Sequence, residues 1–223
     1  ITDIRTILTA PAGVPLIAVK VLTSDDGLYG VGCATFTQRF KAVRDAIDLH
    51  VGPFCIGRNV DEIEQIWQMS MVNGSWRNGP VLNNAISGID QALWDIKGKR
   101  ANMPVYQLLG GKCREGASVY THTGGRDPLE VEDSVRKAMA EGYRCVRVAL
   151  WGQGHHLPKP ENAPPGGYWD AKASMLSTLK MLEHLRASIG FEIDLVYDVH
   201  ERYAPQDAVA FAKEVEPFKL YFL

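Results

Sequence analysis

An aspartate and a histidine stand two residues apart near the C-terminal end of the sequence, directly after the apolar run Leu-Val-Tyr. They are Asp198 and His200, within DLVYDVHERY (194–203). A carboxylate suits a hard cation such as Mg²⁺, and an imidazole can ligate a metal or transfer protons near neutral pH. If the strand continues through His200, both side chains lie on one face at its C-terminal end. The alternative is a structural role, in which the aspartate caps the next helix or bonds to a loop.

Two further polar residues are expected at the same rim of the sheet. Arg147 lies in the otherwise apolar strand CVRVAL, where a guanidinium is costly unless an anion meets it. That anion is either a substrate carboxylate or an acidic side chain in a structural ion pair. His122 ends the preceding strand, before a predicted turn at Gly124-Gly125; taken alone, it also fits a histidine with structural hydrogen bonds. Polar residues on three successive strands together favour a functional site.

The first 115 residues predict a small α+β domain. Two β-rich segments flank Asp25-Asp26-Gly27, which is a hairpin signal. Helical patterns follow, and we expect Asn59 or Asp61 to cap the first long helix. The predicted architecture of residues 1–115 is therefore an antiparallel sheet followed by helices.

From residue 116 onward, predicted strands alternate with three predicted helices. The strand segments are SVYTHTGG, YRCVRVAL, IDLVYDVH and KLYFL. This order predicts a parallel sheet with crossover helices, open or closed into a barrel. A (β/α)₈ barrel needs about 200 to 250 residues, whereas only 108 residues follow residue 115 (223 − 115). We therefore expect residues 116–223 to be the N-terminal part of a barrel in a longer enzyme.

The segment between the second of these strands and the next helix is unusually long. It runs WGQGHHLPKPENAPPGGYWD, residues 151–170, whereas such connections usually have about two to six residues. Extra length after a barrel strand often shapes an active site. Tyr168 is a candidate proton donor there, and packing of Tyr168 and Trp169 against the following helix is an equally open interpretation. His155 and His156 are expected to face solvent.

Composition excludes several classes of partner. The net charge of −2 offers no basic surface for nucleic acid or anionic lipid. The four cysteines include no CxxC pair, and we expect reduced, mostly buried thiols. No apolar run reaches the roughly 18 residues of a membrane span, and no signal peptide opens the chain. We therefore expect a cytoplasmic protein that binds neither nucleic acid nor membranes.

Several segments resemble one enzyme superfamily. RNGPVLNNAISGIDQALWDIKGKRANMPVYQLLGG (77–111) resembles the capping-domain helices of the enolase superfamily. Within that superfamily, TFTQR (35–39), VYTH (119–122), VRV (146–148) and YDVHER (197–202) resemble the mannonate dehydratase group, which includes galactonate-dehydratase-like members. The resemblance implies an α+β capping domain followed by a (β/α)₈ TIM-type barrel, of which about the first half is present here. It also implies one bound Mg²⁺, dehydration of sugar acids and a homo-oligomer.

The resemblance assigns catalytic roles to matching residues. Asp198 matches a magnesium ligand at the end of the third barrel strand, and His200 matches the catalytic histidine beside it. Arg147 matches a second-strand arginine that works with a loop tyrosine as an acid/base pair, and Tyr168 is the matching tyrosine. The remaining metal ligands are expected beyond Leu223.

The resemblance also points to substrate contacts and to two departures from the family pattern. Gln38 and His122 match substrate-contacting positions. Where many superfamily members carry Lys-x-Lys on the second strand, this chain has Arg147 and Ala149, so a lysine base at these positions is excluded. The TFTQR segment differs from the cap of efficient mannonate dehydratases.

These observations lead to one functional prediction and two open alternatives. We predict Mg²⁺-dependent dehydration of D-mannonate or D-gluconate to a 2-keto-3-deoxy acid. Mg²⁺ would offset the negative charge that develops when the α-proton is removed, and an imidazole would protonate the departing hydroxide. One alternative is a dehydratase for another aldonate such as galactonate. The other is a catalytically silent relative that binds a sugar acid or a regulatory partner.

Overall fold

The structure is a computed structural model that describes residues 1–151, 161 and 169–223. The chain forms two compact units, Ile1–Glu115 and Gly116–Leu223. Within the described residues, no helix is both long enough and apolar enough to cross a bilayer. The four cysteines are free, but the expectation that most are buried is wrong, because Cys33 and Cys113 are exposed.

The first unit is a three-stranded antiparallel sheet with helices packed on one face. Its strands pair in the order β1-β2-β3. The bounds are β1 Asp3–Thr9, β2 Leu16–Leu22, β3 Tyr29–Cys33, α1 Phe40–Ala46, α2 Gly52–Cys55, α3 Ile63–Val72, α4 Pro80–Arg100 and α5 Val105–Leu108. The hairpin predicted at Asp25-Asp26-Gly27 is confirmed, since the turn joins β2 to β3 and Gly27 has a φ of 75°. Alternate β2 residues and the apolar stripe of α4 form the core of this unit.

Helix α4 approaches the backbone of β3 closely because the strand has glycines at alternate positions. A Cβ atom on Gly30 would lie 1.9 Å from the carbonyl oxygen of Ala92, and one on Gly32 would lie 2.0 Å from that of Gly88. Glycine is required where two backbones approach this closely.

Side chains of α4 also form hydrogen bonds with backbone groups on the unpaired edge of β3. Gln91 accepts a hydrogen bond from the backbone N–H of Cys33 at 3.1 Å and donates one to its carbonyl at 3.2 Å. Asp95 accepts from the backbone N–H of Val31 at 2.9 Å. The polar groups of an edge strand that would otherwise be open to pairing therefore have partners within the unit.

The prediction that Asn59 or Asp61 caps the first long helix is wrong. Helix α3 begins at Ile63 with Glu62 at the N-cap, and no side chain accepts a capping hydrogen bond there. The Asn59 side chain instead accepts from the backbone N–H of Asp61 at 3.1 Å. Asn59 therefore stabilises the turn that precedes the helix, which is a common use of asparagine.

The second unit alternates strands and helices, as predicted. Its strands pair in parallel in the order β4-β5-β6. The bounds are β4 Thr121–Gly125, α6 Pro128–Ala140, β5 Cys145–Leu150, α7 Ala171–Ser188, β6 Asp194–Val196 and α8 Pro205–Val215. Asp127 and Asp170 cap α6 and α7, each accepting from the backbone N–H three residues on. The predicted fourth strand is represented by a single parallel bridge between Val196 and Phe222.

Two strand ends differ from the prediction. Gly124 and Gly125 lie inside β4 rather than in a turn after it, so His122 is the second residue of that strand and does not end it. The glycines provide close packing, since a Cβ on Gly124 would lie 2.5 Å from the indole nitrogen of Trp151 and one on Gly125 would lie 2.5 Å from Cβ of Glu130. The third strand, β6, ends at Val196, before the residues of interest.

Arg186 joins the end of α7 to two later segments of the second unit. Its guanidinium donates to the carbonyl oxygens of Phe218 (2.8 Å), Gly190 (2.9 Å), Ile193 (3.0 Å) and Lys219 (3.2 Å). The residue is only 9% exposed. A buried charge is tolerated here because acceptors surround it.

Arg186→Met is therefore expected to lower the free energy of unfolding of the second unit by about 3 kcal/mol or more, because buried carbonyls lose their donor. Chemical denaturation followed by hydrogen exchange in the second unit measures the loss. Arg126→Met is a suitable control within the same unit, because Arg126 pairs with Glu130 at the surface and its side chain is 78% exposed. If Arg186→Met lowered the free energy of unfolding no more than the control does, Arg186 would not hold these segments together.

Candidate active site

Arg147 and Asp198 meet beyond the end of β6. Arg147 is the third residue of β5 and lies opposite Val196 in the parallel ladder. Its terminal nitrogen Nη1 donates to Oδ2 of Asp198 at 3.0 Å, and the Arg147 and Asp198 side chains are 20% and 41% exposed. The anion that the sequence required for Arg147 is thus present within the chain.

One nitrogen of the Arg147 guanidinium lacks an acceptor in the part of the chain that the structure describes. Its Nε is buried and has no hydrogen-bond partner among the described residues. A buried donor without an acceptor is destabilising, so an oxygen-bearing group placed beside Nε would be favoured. A ligand carboxylate has the charge and geometry that a guanidinium binds well.

His200 is held against Asp198 by a tight turn and not by strand alternation. The backbone N–H of His200 donates to Asp198 Oδ1 at 2.9 Å, and His200 Nδ1 lies 3.3 Å from the Asp198 carbonyl oxygen. The expectation that a continuing strand places both side chains on one face is wrong, because β6 ends two residues before Asp198. The aspartate does bond to the loop, which was the structural alternative, and it also contacts Arg147.

The backbone of this turn is unusual. His200 and the next residue, Glu201, have φ angles of 54° and 53°. Two consecutive non-glycine residues in the left-handed region are strained, and strain of this kind clusters at functional sites.

His122 belongs to the same group of side chains. It lies opposite Arg147 in the β4–β5 ladder, and its ring stacks on that of Tyr120 with centroids 5.9 Å apart. Partial desolvation lowers the pKa of His122, and the positive charge of Arg147 lowers that pKa further. The neutral imidazole is therefore favoured near pH 7, in the form that can both donate and accept hydrogen bonds.

Aromatic residues pack beside the turn that carries Asp198 and His200. Sequence reasoning identified only one of them, Trp169, as a packing residue. Trp169 stacks on Tyr203 with ring centroids 5.6 Å apart, so Trp169 has a packing contact, with a residue outside the helix that follows it. Tyr203 comes three residues after His200, and that proximity was the available signal for its role.

The other residues predicted from the sequence lie in the first unit or outside the described residues. Gln38 is exposed on the short helical turn Thr37–Arg39 of the first unit. Tyr168, His155 and His156 lie outside the described residues.

The donor chemistry of Asp198 fits a hard cation, although it supplies only part of a ligand set. Mg²⁺ prefers carboxylate oxygens, which are the donor atoms that Asp198 supplies. In the described part of the chain, no group of three or more His, Cys, Asp and Glu side chains could hold a metal ion.

Two clefts are candidate ligand sites. A cleft of about 310 Å³ adjoins the turn and is lined by residues that include Asp198, His200, Tyr203 and Phe211. A larger cleft of about 570 Å³ lies in the first unit, where Arg100 and Asp61 are already paired with each other. We favour the smaller cleft, because candidate acid/base and metal-binding groups converge there.

Comparisons with known proteins give a consistent family context. Residues 4–110 match the family described as mandelate racemase / muconate lactonizing enzyme, N-terminal domain. The D-galactonate dehydratase family member RspA from Pantoea ananatis is 49% identical over 243 residues, covering 100% of this chain and 58% of the relative. A D-galactonate dehydratase family member from Enterocloster bolteae is 49% identical over 230 residues, covering 100% and 57%. The chain thus spans little more than half the length of these curated relatives.

Solved structures agree with the sequence matches. An enolase from Pantoea ananatis with bound D-gluconate and Mg has a TM-score of 0.87 and 48% identity, covering 100% of this chain and 58% of that chain. The 3,6-anhydro-D-galactonate cycloisomerase from Zobellia galactanivorans has a TM-score of 0.71 and 26% identity, covering 99% and 57%. The predicted fold class, an α+β capping domain followed by part of a (β/α)₈ barrel, is confirmed.

Proposed function

Because the chain belongs to the enolase superfamily, we propose that the whole protein is a Mg²⁺-dependent sugar-acid dehydratase. Its proposed substrate is D-mannonate or D-gluconate. The reaction breaks the C2–H and C3–O bonds, releases one water and leaves an enol that becomes a 2-keto-3-deoxy acid. One observation carries the proposal: Arg147, Asp198 and His200, which come from two separate segments of the chain, meet at one site.

Asp198 is the proposed protein ligand for Mg²⁺ from this part of the chain. Its carboxylate has the hard oxygen donors that the ion prefers. When bound, the ion would supply positive charge that lowers the barrier to removing a weakly acidic proton beside a carboxylate. The structure of the Pantoea ananatis enolase with D-gluconate and Mg supports this assignment by analogy.

The proposed proton transfers belong to Arg147, Tyr168 and His200. Arg147, whose buried Nε has no hydrogen-bond partner among the described residues, orients an anionic group and acts with Tyr168 as an acid/base pair. The His200 side chain is 46% exposed beside Asp198, so its imidazole can reach a ligand and protonate the departing hydroxide. The second strand supplies no lysine base, since the corresponding positions are Arg147 and Ala149.

His122 and Gln38 are the proposed substrate contacts. The lowered pKa of His122 keeps its ring neutral near pH 7, so the ring can hydrogen-bond to sugar hydroxyls without adding charge. Gln38 offers an exposed amide that can both donate and accept.

A panel of aldonates identifies the substrate. We expect Mg²⁺-dependent formation of a 2-keto-3-deoxy acid from D-gluconate or D-mannonate, and less from D-galactonate, when each is incubated with the whole protein. Keto-acid product is quantified colorimetrically and by NMR, with a chelator-treated sample as the control. Turnover of D-galactonate alone would replace the proposed substrate while keeping the reaction class.

A further inference from the structure

We infer that Tyr203 is a positioning residue that fixes the backbone turn carrying Asp198 and His200. The catalytic consequence of this role rests on the proposed function, whereas the structural part does not. The inference concerns how the imidazole is held in place and adds Tyr203 to the residues on which the reaction depends.

The turn requires external support because its backbone is strained. His200 and Glu201 both occupy the left-handed region, with φ of 54° and 53°. Residues with a Cβ rarely adopt this conformation, and it persists only where the surrounding structure fixes it. A relaxed backbone would move the imidazole away from Asp198.

The first anchor lies on the N-terminal side of the turn. Strand β6 pairs with β5 up to Val196, and the backbone N–H of Tyr197 donates to the Phe222 carbonyl at 3.3 Å. Asp198 then accepts from the His200 N–H at 2.9 Å. These contacts fix the position of the residues that begin the turn, but they do not fix the residues that follow Glu201.

The second anchor is the Tyr203 side chain. Its ring stacks on Trp169 (centroids 5.6 Å apart, planes at 29°) and meets Phe211 edge to face (5.2 Å, 68°). Its hydroxyl lies 3.4 Å from the Ser174 hydroxyl. Tyr203 therefore ties the end of the turn to the first turn of α7 and to the buried face of α8. With both ends fixed, the intervening residues are confined to the strained conformation.

Hydrogen exchange and kinetics on Tyr203→Ala test the inference. We expect exchange of the His200 amide to quicken about tenfold or more, because the turn then opens locally. We expect kcat for the preferred aldonate to fall by about 10- to 100-fold with KM changed less than about threefold, because misplacement of a catalytic group is costly. Tyr203→Phe keeps the ring and should retain amide protection and most of kcat.

Tyr143→Ala is the matched control. Tyr143 is a half-buried tyrosine that packs on the same core from just beyond the end of α6. This substitution should lower stability while leaving exchange at residues 198–202 and kcat near those of the unsubstituted protein. A purely packing role for Tyr203 would make the two alanine variants behave alike.

The outcomes separate this inference from the proposed function. Unchanged exchange of the His200 amide in Tyr203→Ala would overturn the inference. If that variant unfolds the whole second unit, Tyr203→Leu, which keeps apolar volume but loses the stacked ring, decides between local opening, which supports the inference, and no change, which overturns it. If the unsubstituted protein turns over no aldonate, the exchange result still decides the inference and the proposed function alone fails.

Discussion

His200→Asn is expected to lower kcat for the preferred aldonate by about 10²- to 10⁴-fold, the usual contribution of a positioned general acid or base. Asparagine removes the imidazole, so the departing hydroxide loses its proposed proton donor. It also tolerates the left-handed backbone better than most residues, and the φ of 54° at this position should persist. The backbone N–H that donates to Asp198 is retained, so the loss reports on the ring.

Steady-state kinetics with Mg²⁺ measures this effect, and hydrogen exchange verifies that the turn is intact. His50→Asn provides a control, because His50 is an exposed histidine of the first unit with no proposed part in the reaction. The kcat of the His50→Asn variant should stay within about twofold of that of the unsubstituted protein. A His200→Asn variant that retains full activity with an intact turn would remove His200 from the mechanism.

Gly30→Ala is expected to destabilise the first unit by more than about 3 kcal/mol, at or beyond the upper end of ordinary overpacking effects. The added Cβ would lie 1.9 Å from the carbonyl oxygen of Ala92 and 2.8 Å from Cγ1 of Ile96. A rotamer change cannot relieve a contact with the helix backbone, so α4 must move away from the sheet. That movement would also break the hydrogen bond from the Val31 N–H to Asp95.

Denaturant dependence of hydrogen exchange in β2 and β3 measures this loss without assuming that both units unfold together. Gly74→Ala is the matched control, since a Cβ there meets nothing within 4 Å and its φ is not in the left-handed region. We expect the control to change stability by less than about 0.5 kcal/mol. Equal stability of the two variants would show that α4 does not pack against β3 as described.

Much of the fold follows from patterns that act locally. The order of strands and helices after residue 116 is predictable from spacing alone, because burial of one face imposes a period on the sequence. Capping by Asp127 and Asp170 uses a side chain and an amide three residues apart, which is also a local interaction. An asparagine such as Asn59 can either cap a helix or stabilise a turn through local hydrogen bonds. Which of the two it does depends on where the helix begins, and α3 begins too late for Asn59 to cap it.

The sequence predictions of strand ends are wrong where tertiary contacts determine the local structure. Gly124 and Gly125 have the composition of a turn, but packing against Trp151 and Glu130 holds them in a strand. The end of β6 was placed too late, since a strand's length depends on its pairing partners and not only on its own propensity.

The sequence could predict that several of the candidate residues lie close together, but not the geometry of their contacts. The sequence indicated Arg147, Asp198, His200 and His122 as a group, and the structure brings the first three together by direct hydrogen bonds. It could not indicate the left-handed turn, because no glycine marks the position. The closeness of Tyr203 to His200 in the sequence was the one signal for its role, and its contacts with Trp169, Phe211 and Ser174 could not be predicted.

The most direct test of the central claim is the formation of a 2-keto-3-deoxy acid from D-gluconate and D-mannonate by the whole protein. We predict product from at least one of them with Mg²⁺, none above background after chelation, recovery when Mg²⁺ is restored, and a loss of about 10²-fold or more with His200→Asn. Absence of product from both substrates and every other aldonate tested, in a folded protein supplied with Mg²⁺, would contradict the dehydratase proposal and favour a catalytically silent, ligand-binding relative.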